Sequence, residues 1–79
     1  MITVTIEYFA ILREHAGVNQ ETLQTDAGTP AQLFVELGAL YGFPELETMK
    51  VAINDEFDDW DVQLNDGDSI VFIPPVAGG

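Results

Sequence analysis

Apolar and polar residues alternate from the start of the chain. Ile2, Val4, Ile6 and Tyr8 fall on one side, and Thr3, Thr5, Glu7 and Phe9 on the other. A period of two rich in β-branched residues predicts a half-buried strand. "AILREHAG" then reads as a short helical stretch closed by Gly17, and "QETLQT" as a second, weaker strand. The clearest helix lies in "GTPAQLFVELGALYGFP". Thr29 stands at the N-cap, Pro30 at the first helical position, and Gln32 completes a capping-box pattern. Leu33, Phe34, Leu37, Leu40 and Tyr41 follow a 3.6-residue period and predict one broad apolar face. Gly42 and Pro44 end it, and Gly38 inside it is expected to allow close packing on a sheet.

Downstream, "KVAIN" predicts a strand, "DEFDDWDVQL" a turn with short extended pieces, "NDGD" a tight turn and "SIVFI" the last strand. "SIVFI" is apolar on both faces, which suits a central position, with the first strand as its parallel neighbour. The predicted architecture is α+β: one main helix packed across one face of a mixed four- to five-stranded sheet. One helix covers one side of such a sheet. Ile2, Val4, Ile6, Tyr8, Ile70 and Phe72 are assigned to the covered side, and Thr3, Thr5 and Glu7 suit the open one. Phe9, Val71 and Ile73 put apolar side chains on that open face, and Phe57 stands alone among acids in "NDEFDDWD". A contiguous exposed apolar patch marks an interaction surface. The alternative is that the short helix or the "DEF" segment covers these residues. Trp60 is expected to pack at an edge of the core.

Seventy-nine residues make a single small domain. Hydrophobic residues form 47% of it, enough for an ordinary core. Fourteen Asp and Glu face only Arg13 and Lys50, for a formal charge of −12. That balance argues against nucleic acid and against an anionic membrane surface as partners, since both need clustered cations. It fits solubility, in a high-salt cytoplasm for example, before steering toward a basic groove on a protein partner, though the two are compatible. No apolar run has the length of a membrane helix or the shape of a signal peptide, so a cytoplasmic location is expected.

Catalytic constellations are missing. With no cysteine the chain offers no thiol nucleophile, disulfide or Cys-based zinc site. His15 is the single histidine and reads as a surface helical residue. The carboxylates from Asp55 to Asp61 lack the order of a calcium-binding loop and read as a solvated acidic segment. No metal and no cofactor is expected on this chain.

The ending "VFIPPVAGG" is the exception. Pro74 and Pro75 cannot donate to a sheet ladder, so they end the strand and send the chain outward. Val76, Ala77, Gly78 and Gly79 are small enough to enter a channel little wider than a backbone, reaching roughly 13 Å at about 3.3 Å per residue. Residues 1–75 are thus expected to form the domain and 76–79 a flexible tail. The tail carries one distinctive reactive group, the α-carboxylate of Gly79, which is ionised at neutral pH and a poor electrophile until another protein activates it.

The stretches "YFAILRE", "VAIN" and "LNDGDSIVFIPPVAGG" resemble the MoaD family, the ubiquitin-like β-grasp small subunits of molybdopterin synthase, over the whole chain. The paired prolines before V-x-G-G separate this ending from that of the thiamine-pathway carrier ThiS. The resemblance implies a sulfur carrier that is not catalytic alone. Gly79 would be adenylated by an E1-like (MoeB-like) enzyme that consumes ATP, and then converted to a thiocarboxylate. The loaded tail would donate its sulfur to a cyclic pyranopterin monophosphate in the active site of a MoaE-like large subunit. Pro74, Pro75, Val76, Ala77 and Gly78 would thread that partner's channel, and Phe9, Phe57 and Ile73 match the family's apolar contact positions. Arg13 and Lys50 fall where the family often carries a basic residue. The strong acidity departs from the family. A second function stays open, that of a ubiquitin-like modifier joined through its C-terminal glycine to lysines of target proteins.

Overall fold

Burial follows the alternation of the first strand closely. In β1 (Ile2–Tyr8), Val4, Ile6 and Tyr8 are buried, while Thr3, Thr5 and Glu7 keep partial exposure. The structure is a computed structural model that describes residues 1–44 and 48–75. After β1 come α1 (Ala10–Ala16), β2 (Gln20–Thr25), α2 (Pro30–Tyr41), β3 (Lys50–Ile53), β4 (Glu56–Asp58) and β5 (Ser69–Ile73). The strands form one mixed sheet in the order β2-β1-β5-β3-β4. β1 and β5 run parallel at its centre, and the other three pairings are antiparallel. This is the α+β arrangement expected from the hydrophobic pattern, with all five strands present.

Local chemistry explains where elements start and stop. Gly17 and Gly42 take the left-handed conformation that closes α1 and α2. The Thr29 hydroxyl accepts from the Gln32 N–H, as a capping box requires, but the Gln32 side chain bonds back to the Gly28 N–H, one residue before the cap. β3 and β4 are joined by Asn54 and Asp55 alone, both with positive φ, the backbone of a type I′ hairpin turn. Asn54 then clips two turns together. Its Nδ2 donates to Asp68 Oδ1 at 3.0 Å, and its Oδ1 accepts from the Ser69 N–H at 3.0 Å. The second Asp68 oxygen accepts from the Asn65 N–H at 2.8 Å.

The core lies between the sheet and α2. Val4, Ile6, Tyr8, Ile70 and Phe72 meet Leu33 and Leu37, and Leu12 of α1 joins the same cluster. Aromatic rings seal one end: Trp60 stacks on Phe72 at 5.8 Å and meets Phe34 edge-on, while Phe43 packs against Phe34, Tyr8 and Tyr41. Trp60 is therefore a half-buried edge residue, as expected. Two expectations for α2 fail. Leu40 is exposed, because it lines the open groove between α2 and the edge strand β2, and the site of a Cβ on Gly38 meets nothing within 4 Å, so no close packing requires that glycine.

One polar knot ties β1, β2 and α2. The Tyr8 hydroxyl donates to Glu21 Oε2 at 2.7 Å, and the Tyr41 hydroxyl donates to the same oxygen. Burial, reinforced by the Glu21 carboxylate, pushes the Tyr8 phenol far above its ordinary range. The hydrogen bond to Glu21 is the main reason that Tyr41 is pushed up to about 12.

Candidate functional site

Strand register sets the composition of the open face. One row across it reads Gln20, Glu7, Val71, Ala52 and Phe57, from β2 to β4. The next row toward the chain's exit pairs Ile73 with Lys50. Extending the β1–β5 register by one residue sets Phe9 beside Ile73. Phe9 keeps an extended backbone (φ −122°, ψ 150°), and Ala10, at φ 51°, then turns the chain into α1. In the other direction the face becomes hydroxyl-rich, with Thr22, Thr5 and Ser69 in register. The sheet thus has a polar half on β2 and β1 and an apolar half on β5, β3 and β4.

Neither candidate cover lies over the apolar half. α1 sends Leu12 into the core on the opposite side, and the "DEF" segment extends the sheet as β4, so Phe57 joins the row. Phe57 remains 70% exposed and Phe9 42% exposed, while Val71 and Ile73 are half-buried. Phe9, Phe57 and Ile73 therefore occupy one surface, with Val71 and Ala52 between them. Ala52, buried between its neighbours, and the exposed Lys50 share that face. The alternation in "KVAI" would have placed both there, had its face been assigned.

β5 leads directly from this strip to the chain's end. Pro74 keeps the covered-side phase of Ile70 and Phe72 and is buried; Pro75 is exposed. The described chain thus ends beside Ile73 and Lys50. Val76, Ala77, Gly78 and Gly79 lie outside the described residues. Arg13, in the last turn of α1, and Lys50 are both exposed, and neither forms an ion pair among the described residues, where the pair present joins the Met1 amino group to Asp26 at 3.8 Å. Glu7 and Asp55 accordingly border the strip without an ion-pair partner among the described residues. Among the described residues no group of His, Asp and Glu is placed to hold a metal ion, and no helix is long and apolar enough to cross a membrane. His15 is an exposed residue of α1, edge-on to Phe43 at 6.4 Å.

One main helix, α2, across a five-stranded mixed sheet with parallel central strands, with the short α1 beside it, defines a ubiquitin-like β-grasp domain. The chain belongs to the ThiS family, whose model matches residues 6–79. It is 33% identical to the molybdopterin synthase sulfur carrier subunit of Chlamydomonas reinhardtii, over 96% of this chain and 98% of that one. Among solved structures it is similar to a protein described as molybdopterin converting factor subunit 1 from Pyrococcus furiosus. The two are 28% identical with a TM-score of 0.83, over 96% of this chain and 100% of the other. It is also similar to a chain in the complex of subunits 1 and 2 of molybdopterin-converting factor from Helicobacter pylori. There the identity is 29% and the TM-score 0.68, over 99% of this chain and 100% of that one.

Proposed function

We propose that this protein is a sulfur carrier and the small subunit of a molybdopterin synthase. The observation that carries the reading is the continuity of an uncovered apolar strip with the root of a tail ending in Gly78-Gly79. Two similar proteins are named or described for this pathway, and a third was solved with its second subunit, which supports a MoaE-like partner. In this reading Phe9, Phe57 and Ile73 seat the partner, and Pro74 to Gly78 run into its active site. An E1-like enzyme joins the Gly79 carboxylate to AMP from ATP, releasing pyrophosphate. Sulfide from a donor displaces AMP and leaves a thiocarboxylate. In the large subunit the thiocarboxylate sulfur displaces an oxygen substituent from a carbon of the cyclic pyranopterin monophosphate, and water then cleaves the acyl–sulfur bond, leaving a thiolate on the pterin and returning Gly79 to the carboxylate. Every protein-side step needs the tail; the domain supplies docking and aim.

Reconstitution tests this reading. Full-length protein carrying a thiocarboxylate, mixed with the large subunit and the cyclic precursor, is expected to yield molybdopterin. Deleting Gly79 is expected to abolish the product without loosening the complex. Lysine-linked conjugates on other proteins, with no molybdopterin formed, would overturn the reading in favour of a protein modifier, in which an amine instead of sulfide takes the acyl group.

A further inference from the structure

β2 is the terminal strand of the sheet, and its outer edge is unpaired among the described residues. The Tyr8 N–H donates to the Asn19 carbonyl at 2.9 Å, which fixes the phase of the antiparallel ladder. In that phase Glu21, Leu23 and Thr25 exchange hydrogen bonds with β1, and the backbone groups of Gln20, Thr22 and Gln24 point away from the sheet. These three residues are exposed. Six consecutive register pairs join β1 to β2 without a bulge, and the strand contains no proline or lysine. Proline, lysine and a bulge, three of the usual guards of an exposed edge, are therefore absent from it.

Beside that edge, a groove of about 510 Å³ separates β2 from α2. Leu23, Leu37, Ala39 and Leu40 give it an apolar floor, and Leu40 is 67% exposed. Its charged members are Glu21 and Glu36, and neither β2 nor α2 contains a Lys or Arg. A second copy pairing through the same edge would set like charges against each other, in a chain already at −12. A cationic segment meets no such penalty.

We propose that this edge and groove are a docking site for an extended segment of a partner protein, with alternate apolar side chains and flanking Lys or Arg. The segment adds to the sheet as a strand beside β2. Its backbone pairs with Gln20, Thr22 and Gln24, its apolar side chains cover Leu23 and Leu40, and its cations lie near Glu21 and Glu36. The site is on the polar-half edge of the sheet, away from the tail root, and does not depend on the function of Gly79.

The test uses the full-length protein and a synthetic peptide, acetylated and amidated Lys-Thr-Val-Thr-Val-Thr-Lys, followed residue by residue through amide hydrogen exchange. The Gln20, Thr22 and Gln24 amides are expected to gain protection on binding. Thr22→Pro removes an outward-facing donor that β1 does not use, and Leu40→Ser removes an exposed apolar contact. Each is expected to weaken binding about tenfold or more, as is replacing the peptide lysines by glutamate, whereas Phe57→Ala leaves it unchanged. Absence of saturable protection up to about 1 mM peptide would overturn the proposal. So would protection centred on Val71 and Phe57, equal binding by both variants, or a dimer of this chain that Thr22→Pro dissolves.

Discussion

Val71 and Phe57 lie in one row of the open sheet face, two strands apart with only Ala52 between them. A central strand and the short edge strand β4 thereby contribute to the same apolar strip, and Phe57 stands 70% exposed at its end. Phe57→Ala is expected to weaken binding of the large subunit by about 1–3 kcal/mol, the scale of an interface anchor. Its effect on folding should stay within about 0.5 kcal/mol, because it leaves no cavity in the core. Calorimetric titration and denaturant unfolding on the same variant separate the two effects. Loss of stability with binding intact would assign Phe57 to the fold.

The clip between Asn54 and Asp68 is structural. Asp68 is buried and accepts from both the Asn65 N–H and Asn54 Nδ2. Asp68→Ala leaves those donors without their acceptor and is expected to cost about 1–3 kcal/mol of folding stability. Asp61→Ala, in the exposed acidic segment, serves as the control and should stay within about 0.5 kcal/mol. Urea denaturation of both proteins decides the comparison.

How far such features could be read from the sequence varied with the physics behind them. The alternation in "ITVTIEY", the capped start of α2 at Thr29 and Pro30, and the two-sided apolar "SIVFI" each report a local rule, and the elements follow them. The contiguity of Phe9 with Ile73 was legible for the same reason, since strand phase fixes the face. Other features depend on partners distant in sequence. Leu40 fits the helical period yet lines an open groove beside β2, which depends on how α2 sits against that strand. The hydrogen bonds of Tyr8 and Tyr41 to Glu21 bring together three elements, and no spacing in the chain announces them.

That Glu21 knot makes stability sensitive to alkali. Folding raises the Tyr41 phenol from 10.0 to about 12, and Tyr8 moves the same way, so the folded state holds these protons after the unfolded chain has released them. The contribution is full below pH 10 and is lost as pH rises toward 12. Denaturant midpoints across that range are expected to fall less steeply for Tyr41→Phe, which cannot ionise, than for the unmodified protein. Parallel curves would contradict the coupling.

Uncompensated charge predicts a salt response. With −12 on 79 residues and one ion pair among the described residues, repulsion weakens the compact state at low ionic strength. Raising KCl shortens the screening length from about 10 Å at 0.1 M to about 3 Å at 1 M. The melting temperature should rise by about 4–8 °C for each kcal/mol of repulsion relieved. A flat or falling melting curve midpoint would show that the carboxylates are too dispersed to strain the fold.

The central claim is that Gly79 is the sulfur-bearing position. Intact-mass spectrometry, on the full-length protein incubated with an E1-like adenylating enzyme, ATP and a sulfur donor, tests it most directly. The expected product is heavier by one exchange of oxygen for sulfur, located on Gly79 by fragmentation and absent when Gly79 is deleted. An unchanged mass with a competent activating enzyme, or the same gain in the deleted protein, would contradict it.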